Sequence, residues 1–227
     1  MENWLAISDT QNPFEHPQAF EFCRYLKRHY KIKDENVIHL GDEVDQYWGG
    51  LYKKSPNMLH TPTQELQSAR ESLRKWYDLF PQMMLCESNH GTRWIRKALD
   101  AEIPSELLRQ HREILDCPPG WRWQKKWVIE GSKKRFIAEH GDDWGGANCH
   151  VQAAMYNGVS TIIGHHHSKA EITFINTGMQ KLWACVSGCL IDFDQYAFEY
   201  ARRYKLKPVI GTTVITHGGA VPFFHPL

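Results

Sequence analysis

No stretch of this sequence approaches the roughly 18 consecutive apolar residues that a membrane-spanning helix needs, so no membrane partner is expected. The N-terminus, Met1-Glu2-Asn3-Trp4, lacks the basic segment and long apolar core of a secretion signal. Six cysteines (Cys23, Cys86, Cys117, Cys149, Cys185 and Cys189) are scattered without CxxC spacing. Without a secretion signal they read as reduced, mostly buried thiols in a cytoplasmic protein. Net charge is only +1, so no global basic field announces a nucleic-acid binder, and any such contact must be local. There is no internal repeat, low-complexity tract or linker. The 227 residues suffice for a real core, and one domain spanning 1–227 is the simplest reading. With 42% hydrophobic and 23% charged residues the balance is that of an ordinary globular protein. What stands out is histidine, thirteen in all, several of them beside glycine and aspartate.

The organising stretch is Val37-Ile38-His39-Leu40-Gly41-Asp42-Glu43-Val44-Asp45. A short apolar run stops at a glycine, a carboxylate follows at once, and another follows three residues on. The run is too short for a helix and reads as a buried strand. Gly41 permits a sharp backbone turn, which places Asp42 at the carboxyl end of a sheet, where open α/β proteins bind ligands.

Around it the chain alternates strands and helices. Trp4 to Ser8 reads as a first strand, a helix from about Pro17 has a core face of Ala19, Cys23, Leu26 and Tyr30, and Asn36 to Leu40 completes a βαβ unit. Thr61-Pro62-Thr63-Gln64 carries a capping box and a proline at the first helical position. The helix it starts has Leu66, Ala69, Leu73, Trp76 and Phe80 on one face. Gln82 to Cys86 is a third strand, one or two helices fill 92–115, and 147–156 suits a helix. Strands are expected at 135–138, 160–163, 170–176, 180–187 and 208–216, with an aromatic helical segment from Asp194 to Tyr204. Trp121, Trp123 and Trp127 with Arg122, Lys125, Lys126, Lys133, Lys134 and Arg135 read as a basic-aromatic hairpin. Interleaved cations and rings can bind a nucleic-acid strand, but so regular an alternation favours a tryptophan face in the core.

Five strand ends carry metal-type ligands: Asp9, Asp42, Asn89 with His90, His140, and His165 with His167. Singly, each has an ordinary reading as a cap, a turn residue or a satisfied histidine. Five at one topological location point to a metal site. His165 and His167 add weight, since residues two apart on an extended backbone face the same way. Oxygen and imidazole ligands without thiolate suit Mn²⁺, Fe or Zn²⁺.

In order, the blocks Asp9-Thr10-Gln11, Gly41-Asp42-Glu43-Val44-Asp45, Ser88-Asn89-His90-Gly91, His140-Gly141 and Gly164-His165-His166-His167 resemble the calcineurin-like metallophosphoesterases. The family's own blocks run D-x-H, G-D-x-x-D, G-N-H-[DE], H-G and G-H-x-H. Ser187-Gly188-Cys189-Leu190-Ile191-Asp192 also looks like the small-residue strand of its short phage and prokaryotic members. The resemblance implies an α/β fold, a four-layer α-β-β-α sandwich of two mixed sheets, with the site at the strand ends. It implies two divalent metal ions, Mn first, with Fe or Zn as alternatives. Asp42 would bridge them, with Asn89, His140 and His165 completing one site and Asp9, His167 and Gln11 the other. His90 takes the place of the acid and phosphate contact, and Asp45 that of its orienting carboxylate. Two departures stand out: Gln11 replaces the usual histidine ligand with a weaker amide oxygen, and Ser88 replaces a glycine.

The implied activity is hydrolysis of a phosphate ester by a two-metal-activated water. The reading leans to phosphodiesters such as nucleic-acid ends or nucleotides. Alternatives are a phosphomonoesterase acting on a small molecule or phosphoprotein, and a non-catalytic metal-stabilised scaffold. Next to His90, Arg93 or Arg96 is the candidate to hold a substrate phosphate, with Arg93 the first choice and a solvated helix face the alternative reading.

Overall fold

The computed structural model describes residues 2–51 and 53–227, the side chains of Tyr200 and Arg203 excepted. Among the described residues, eleven strands divide between two mixed sheets. In the first, β1 (Trp4–Ile7), β2 (Val37–His39), β3 (Met83–Cys86) and β4 (Trp121–Gln124) run parallel. β10 (Gly211–Thr216) and β11 (Val221–Pro226) extend it antiparallel beyond β1. The second sheet has the order β5 (Lys126–Glu130), β6 (Arg135–Glu139), β7 (Ser160–Ile163), β9 (Lys181–Ser187) and β8 (Ala170–Asn176).

Alternation along the strands builds the layers. In β1, Leu5 and Ile7 face α1 (Ala19–His29) and α2 (Pro62–Leu79), packing with Leu26, Leu73, Trp76 and Phe80. Trp4 and Ala6 point the other way and meet Trp127, Phe136, Ile162 and Trp183 of the second sheet. The outer face of that sheet takes α5 (Cys149–Asn157) through Cys149, Ala153, Ile163 and Val186. Helices, sheet, sheet, helix: the four-layer α-β-β-α sandwich expected from the sequence is the fold. Among the described residues, no helix is long and apolar enough to cross a membrane. All six cysteines are free and buried.

The local signals held where their chemistry is local. Thr61 Oγ1 accepts from the Gln64 amide at 3.3 Å and Gln64 Oε1 from the Thr61 amide at 2.9 Å, closing the capping box of α2. Between β3 and β4 lie α3 (Arg93–Asp100) and the single turn α4 (His111–Ile114). α1 starts at Ala19 rather than at about Pro17. The aromatic segment expected to be helical between Asp194 and Tyr204 is a 3-10 helix, Tyr196–Arg203.

One expectation needs correction in its connectivity. Residues 121–135 are not one hairpin, because β4 pairs with β3 in the first sheet while β5 pairs with β6 in the second. Trp121 and Trp127 are core residues whose indole nitrogens donate to the carbonyls of Phe80 and Leu85, both at 2.8 Å. Their rings are therefore turned away from any nucleic-acid strand. β11 was not anticipated, since Pro222 and Pro226 argue against a strand, and both are tolerated because β11 is an edge.

Candidate functional site

The carboxyl ends of β1, β2, β3, β6 and β7 lie together, and each is followed by one of the polar blocks. Four of the residues there, Asp9 (φ 48°), Gln11 (φ 46°), Asp42 (φ 55°) and His165 (φ 65°), have left-handed backbones. Such conformations cost free energy and cluster where a strand end must aim a side chain inward. Gly41, at φ 99°, could not be anything else: an added Cβ would stand 2.6 Å from His140 Nδ1 and 2.8 Å from Ser88 Cβ. Gly164 is crowded in the same way, with Ser8 Oγ 2.4 Å and Asp9 Oδ2 2.9 Å from a Cβ built there. These glycines let the loops close around Asp9, Asp42 and His140.

All ten residues singled out in the sequence converge. Asp42, His140 and His165 present ligand atoms within 4.8 Å of one another, as do Asp9, Asp42 and His167, so Asp42 belongs to both groups. His140 Nδ1 is bonded to the Leu40 carbonyl at 2.8 Å, which leaves Nε2 facing inward, 2.8 Å from Asn89 Oδ1 and 3.4 Å from Asp42 Oδ1. His165 Nδ1 lies 3.2 Å from His140 Nε2, and the His165 amide donates to Asp9 Oδ2 at 3.1 Å. His167 Nε2 stands 3.2 Å from Asp9 Oδ1 and 3.1 Å from Gln11 Nε2. Ser88 sits at an ordinary backbone conformation and accepts from the Gly91 amide at 3.1 Å, so the loop does not require glycine there.

The electrostatics are those of a cage that demands positive charge. Burial works to raise the Asp42 pKa, but His140, His90 and His165 outweigh it and hold the carboxyl far below its usual range. Asp9 is lowered as well, its bond and charge with His167 overcoming burial. His140 is raised, against burial, by Asp42 and Asp9. His167 is raised too, its burial outweighed by Asp9 and Asp42. His165 goes the other way, to about 4, through burial and the neighbouring His140. It is thus a neutral imidazole with one nitrogen lone pair to offer near neutral pH.

The donor set fits divalent metal ions. It offers carboxylate, amide oxygen and imidazole nitrogen, with no thiolate. Gln11 supports the same conclusion: it is fully buried, and its Oε1 has no hydrogen-bond partner. The amide nitrogen faces Asp42 Oδ2 at 3.5 Å, so a half-turn of the terminal amide would present the orphaned oxygen to Asp9, Asp42 and His167.

Beside this cage, His90 Nδ1 faces Asp45 Oδ1 at 3.2 Å, and its Nε2 accepts from Arg93 Nη2 at 2.6 Å. Arg93 is anchored through Nη1 to the Asp45 carbonyl at 2.6 Å. Arg96 Nη2 donates to the Asn89 carbonyl at 2.8 Å and so braces the loop from behind. Asp42, His90, Arg93, His165 and His167 line one cavity of about 320 Å³.

Some supporting residues escaped the sequence reading. Glu43, next to Asp42, is buried and bonded to His111 Nε2 at 2.6 Å and Trp123 Nε1 at 3.1 Å. Glu65 of α2 is pushed up to about 7 by burial and by Asp45, and its Oε1 accepts from the Tyr47 amide at 2.6 Å. The Gly-Asp-Glu run hinted at Glu43; its partners lie far along the chain and left no sign.

No protein-family model matches the sequence, and no curated protein sequence does. Solved structures do match in shape. One, described as a novel archaeal phosphodiesterase, shares 12% identity over 99% of both chains with a TM-score of 0.51. Vacuolar Protein Sorting 29 from Cryptosporidium parvum shares 12% identity over 100% of this chain and 91% of its own, with a TM-score of 0.52. At such identity the likeness establishes the fold alone: this chain is folded as a metallophosphoesterase-like sandwich.

Proposed function

We propose that this protein is a metal-dependent phosphoesterase, with phosphodiesters as its preferred substrates. The observation that carries the reading is the pair of ligand groups sharing Asp42, with His90 beside them. Asp42, Asn89, His140 and His165 would hold one divalent ion, and Asp9, Gln11, Asp42 and His167 the other. Ions held there supply Lewis acidity to phosphoryl oxygens and acidify water.

The chain's own residues do the rest. In the resting arrangement Arg93 donates to His90 Nε2, so the ring proton sits on Nδ1, facing Asp45. An anionic phosphate competes for Arg93 and draws it off His90. Nε2 is then free to take up a proton from solvent and pass it to the leaving oxygen, while Asp45 stabilises the ring in its charged form. The preference for diesters rests on room: His90 and Arg93 line two cavities, so a phosphate held by them has space for an ester arm on each side.

The test is release of nitrophenol from a nitrophenyl phosphodiester and from the monoester, with and without Mn²⁺. The expected result is metal-dependent turnover with the diester faster. A faster monoester would make it a phosphomonoesterase, and turnover of neither, with metal bound, would make it a scaffold.

Gln11 has its own expected outcome. A neutral amide oxygen binds these ions less tightly than an imidazole. The ion held by Asp9 and His167 should therefore be labile and lost first when metal is stripped. Gln11→His should tighten the weaker of two binding steps by roughly tenfold. Calorimetric titration of metal-stripped protein reads this directly. Two equally tight steps, unaltered in the variant, would remove Gln11 from the ligand set.

A further inference from the structure

Two segments that belong to none of the ligand blocks meet above the strand ends. Glu199 of the 3-10 helix bonds to Ser55 Oγ and accepts from Asn57 Nδ2 at 2.9 Å. Tyr196 OH pairs with His60 Nδ1 at 3.0 Å, and its ring packs edge-on against both Phe14 and Tyr47 at 5.2 Å. Trp48 Nε1 donates to the His60 carbonyl at 2.9 Å. The result is a laced cap in which the 3-10 helix stands between two cavities. Phe198 and Ala201 face the cavity of about 320 Å³ that contains the metal-ligand histidines. Tyr196, Ala197 and Glu199 face a second one, of about 460 Å³.

His90 and Arg93 line both cavities. A phosphate held by them therefore has room on either side, and the two sides differ in chemistry. Opposite the histidines, the first cavity is walled by Phe193, Tyr204, Leu206 and Pro208. The second carries Lys53 and Lys54. Lys54 is engaged with the Tyr47 and Gly50 carbonyls, whereas Lys53 is exposed at the rim.

We propose that the substrate is a small phosphodiester with two unlike arms. A planar apolar group occupies the first cavity, and a second phosphate reaches Lys53 in the other. This rests on the phosphoesterase reading above and narrows it. In the reaction, water adds its oxygen to phosphorus, the P–O bond to one arm breaks, and one proton passes to that arm's oxygen, giving a monoester and an alcohol. A polynucleotide strand is disfavoured, because tracking one needs cations along a continuous path. Here the net charge is +1 and the lysines lining these cavities are confined to one of them.

The experiment uses nitrophenyl diesters of a nucleoside 5′-phosphate, with and without an additional 3′-phosphate, on metal-loaded protein. The 3′-phosphate should raise kcat/KM by about tenfold, and Lys53→Glu should erase that ratio. Leu206→Asp, at a residue 72% exposed and so safe for folding, should raise KM for both esters severalfold with little change in kcat. The proposal is overturned if the 3′-phosphate gives no advantage, if Lys53→Glu preserves it, if Leu206→Asp leaves KM unmoved, or if an oligonucleotide is cleaved as fast as the bisphosphate. Release of nitrophenol from neither ester would instead overturn the phosphoesterase reading itself.

Discussion

His90→Ala abolishes turnover, by about 10²–10⁴ in kcat, while the protein keeps its metal. The expectation follows from where His90 stands. Its Nε2 is 3.7 Å from Asp42 Oδ2, close enough to reach a phosphate held at the cage, yet His90 is in neither ligand group. Its Nδ1 faces Asp45 and its Nε2 faces Arg93, the arrangement of a ring held for proton transfer. Elemental analysis and steady-state rates on the same preparation separate the two roles. If metal content falls with activity, His90 is a ligand; if activity stays near wild type, it is no acid. Asp45→Asn should give a smaller loss, because it leaves the ring in place and removes only the charge that stabilises its protonated form.

Asp42→Asn should reduce metal content more than a change at any other single ligand, since Asp42 alone belongs to both groups. The cage would lose the carboxylate on which His90, His140 and His165 all act. The effect is also visible in stability. A ligand at 100 times its Kd stabilises the native state by about 2.7 kcal/mol. The rise in Tm that Mn²⁺ gives the wild type should therefore nearly vanish in the variant. Retention of two ions per chain, or an undiminished Tm response, would show that the shared ligand lies elsewhere. His167→Ala, by contrast, should cost the ion at Asp9 and spare the one at His140.

How much of this was legible beforehand depended on distance along the chain. The turn at Gly41 and Asp42 was readable because a strand, a glycine and an acid are neighbours in sequence, and the φ of 99° at Gly41 is a local demand. The capping box of α2 was readable for the same reason. The candidate ligand residues could be picked out because chemistry concentrates at strand ends in open α/β sheets, which needs only the strand boundaries. Against this, the break between β4 and β5 was not visible. Gln124, Lys125 and Lys126 carry no glycine or proline to mark a change of sheet, and alternation continues across the gap in Trp121, Trp123 and Trp127. The edge strand β11 was hidden by its prolines.

The sequence by itself determined which groups could do chemistry: carboxylates, an amide and imidazoles at the ends of five strands, and the helix caps and turns that deliver them. These depend on contacts within a few residues, where backbone conformation and side-chain type decide the outcome. The tertiary structure alone decided that Asp42 is shared by two clusters, that Gln11 points its amide into one of them, and that Arg93 rests on His90. It alone joined Glu43 to His111, 68 residues away, and Ser55 to Glu199, 144 away, building the cap that divides the groove. Those pairings follow from how two sheets and their loops pack in space, and chain order carries no record of which distant side chains will meet.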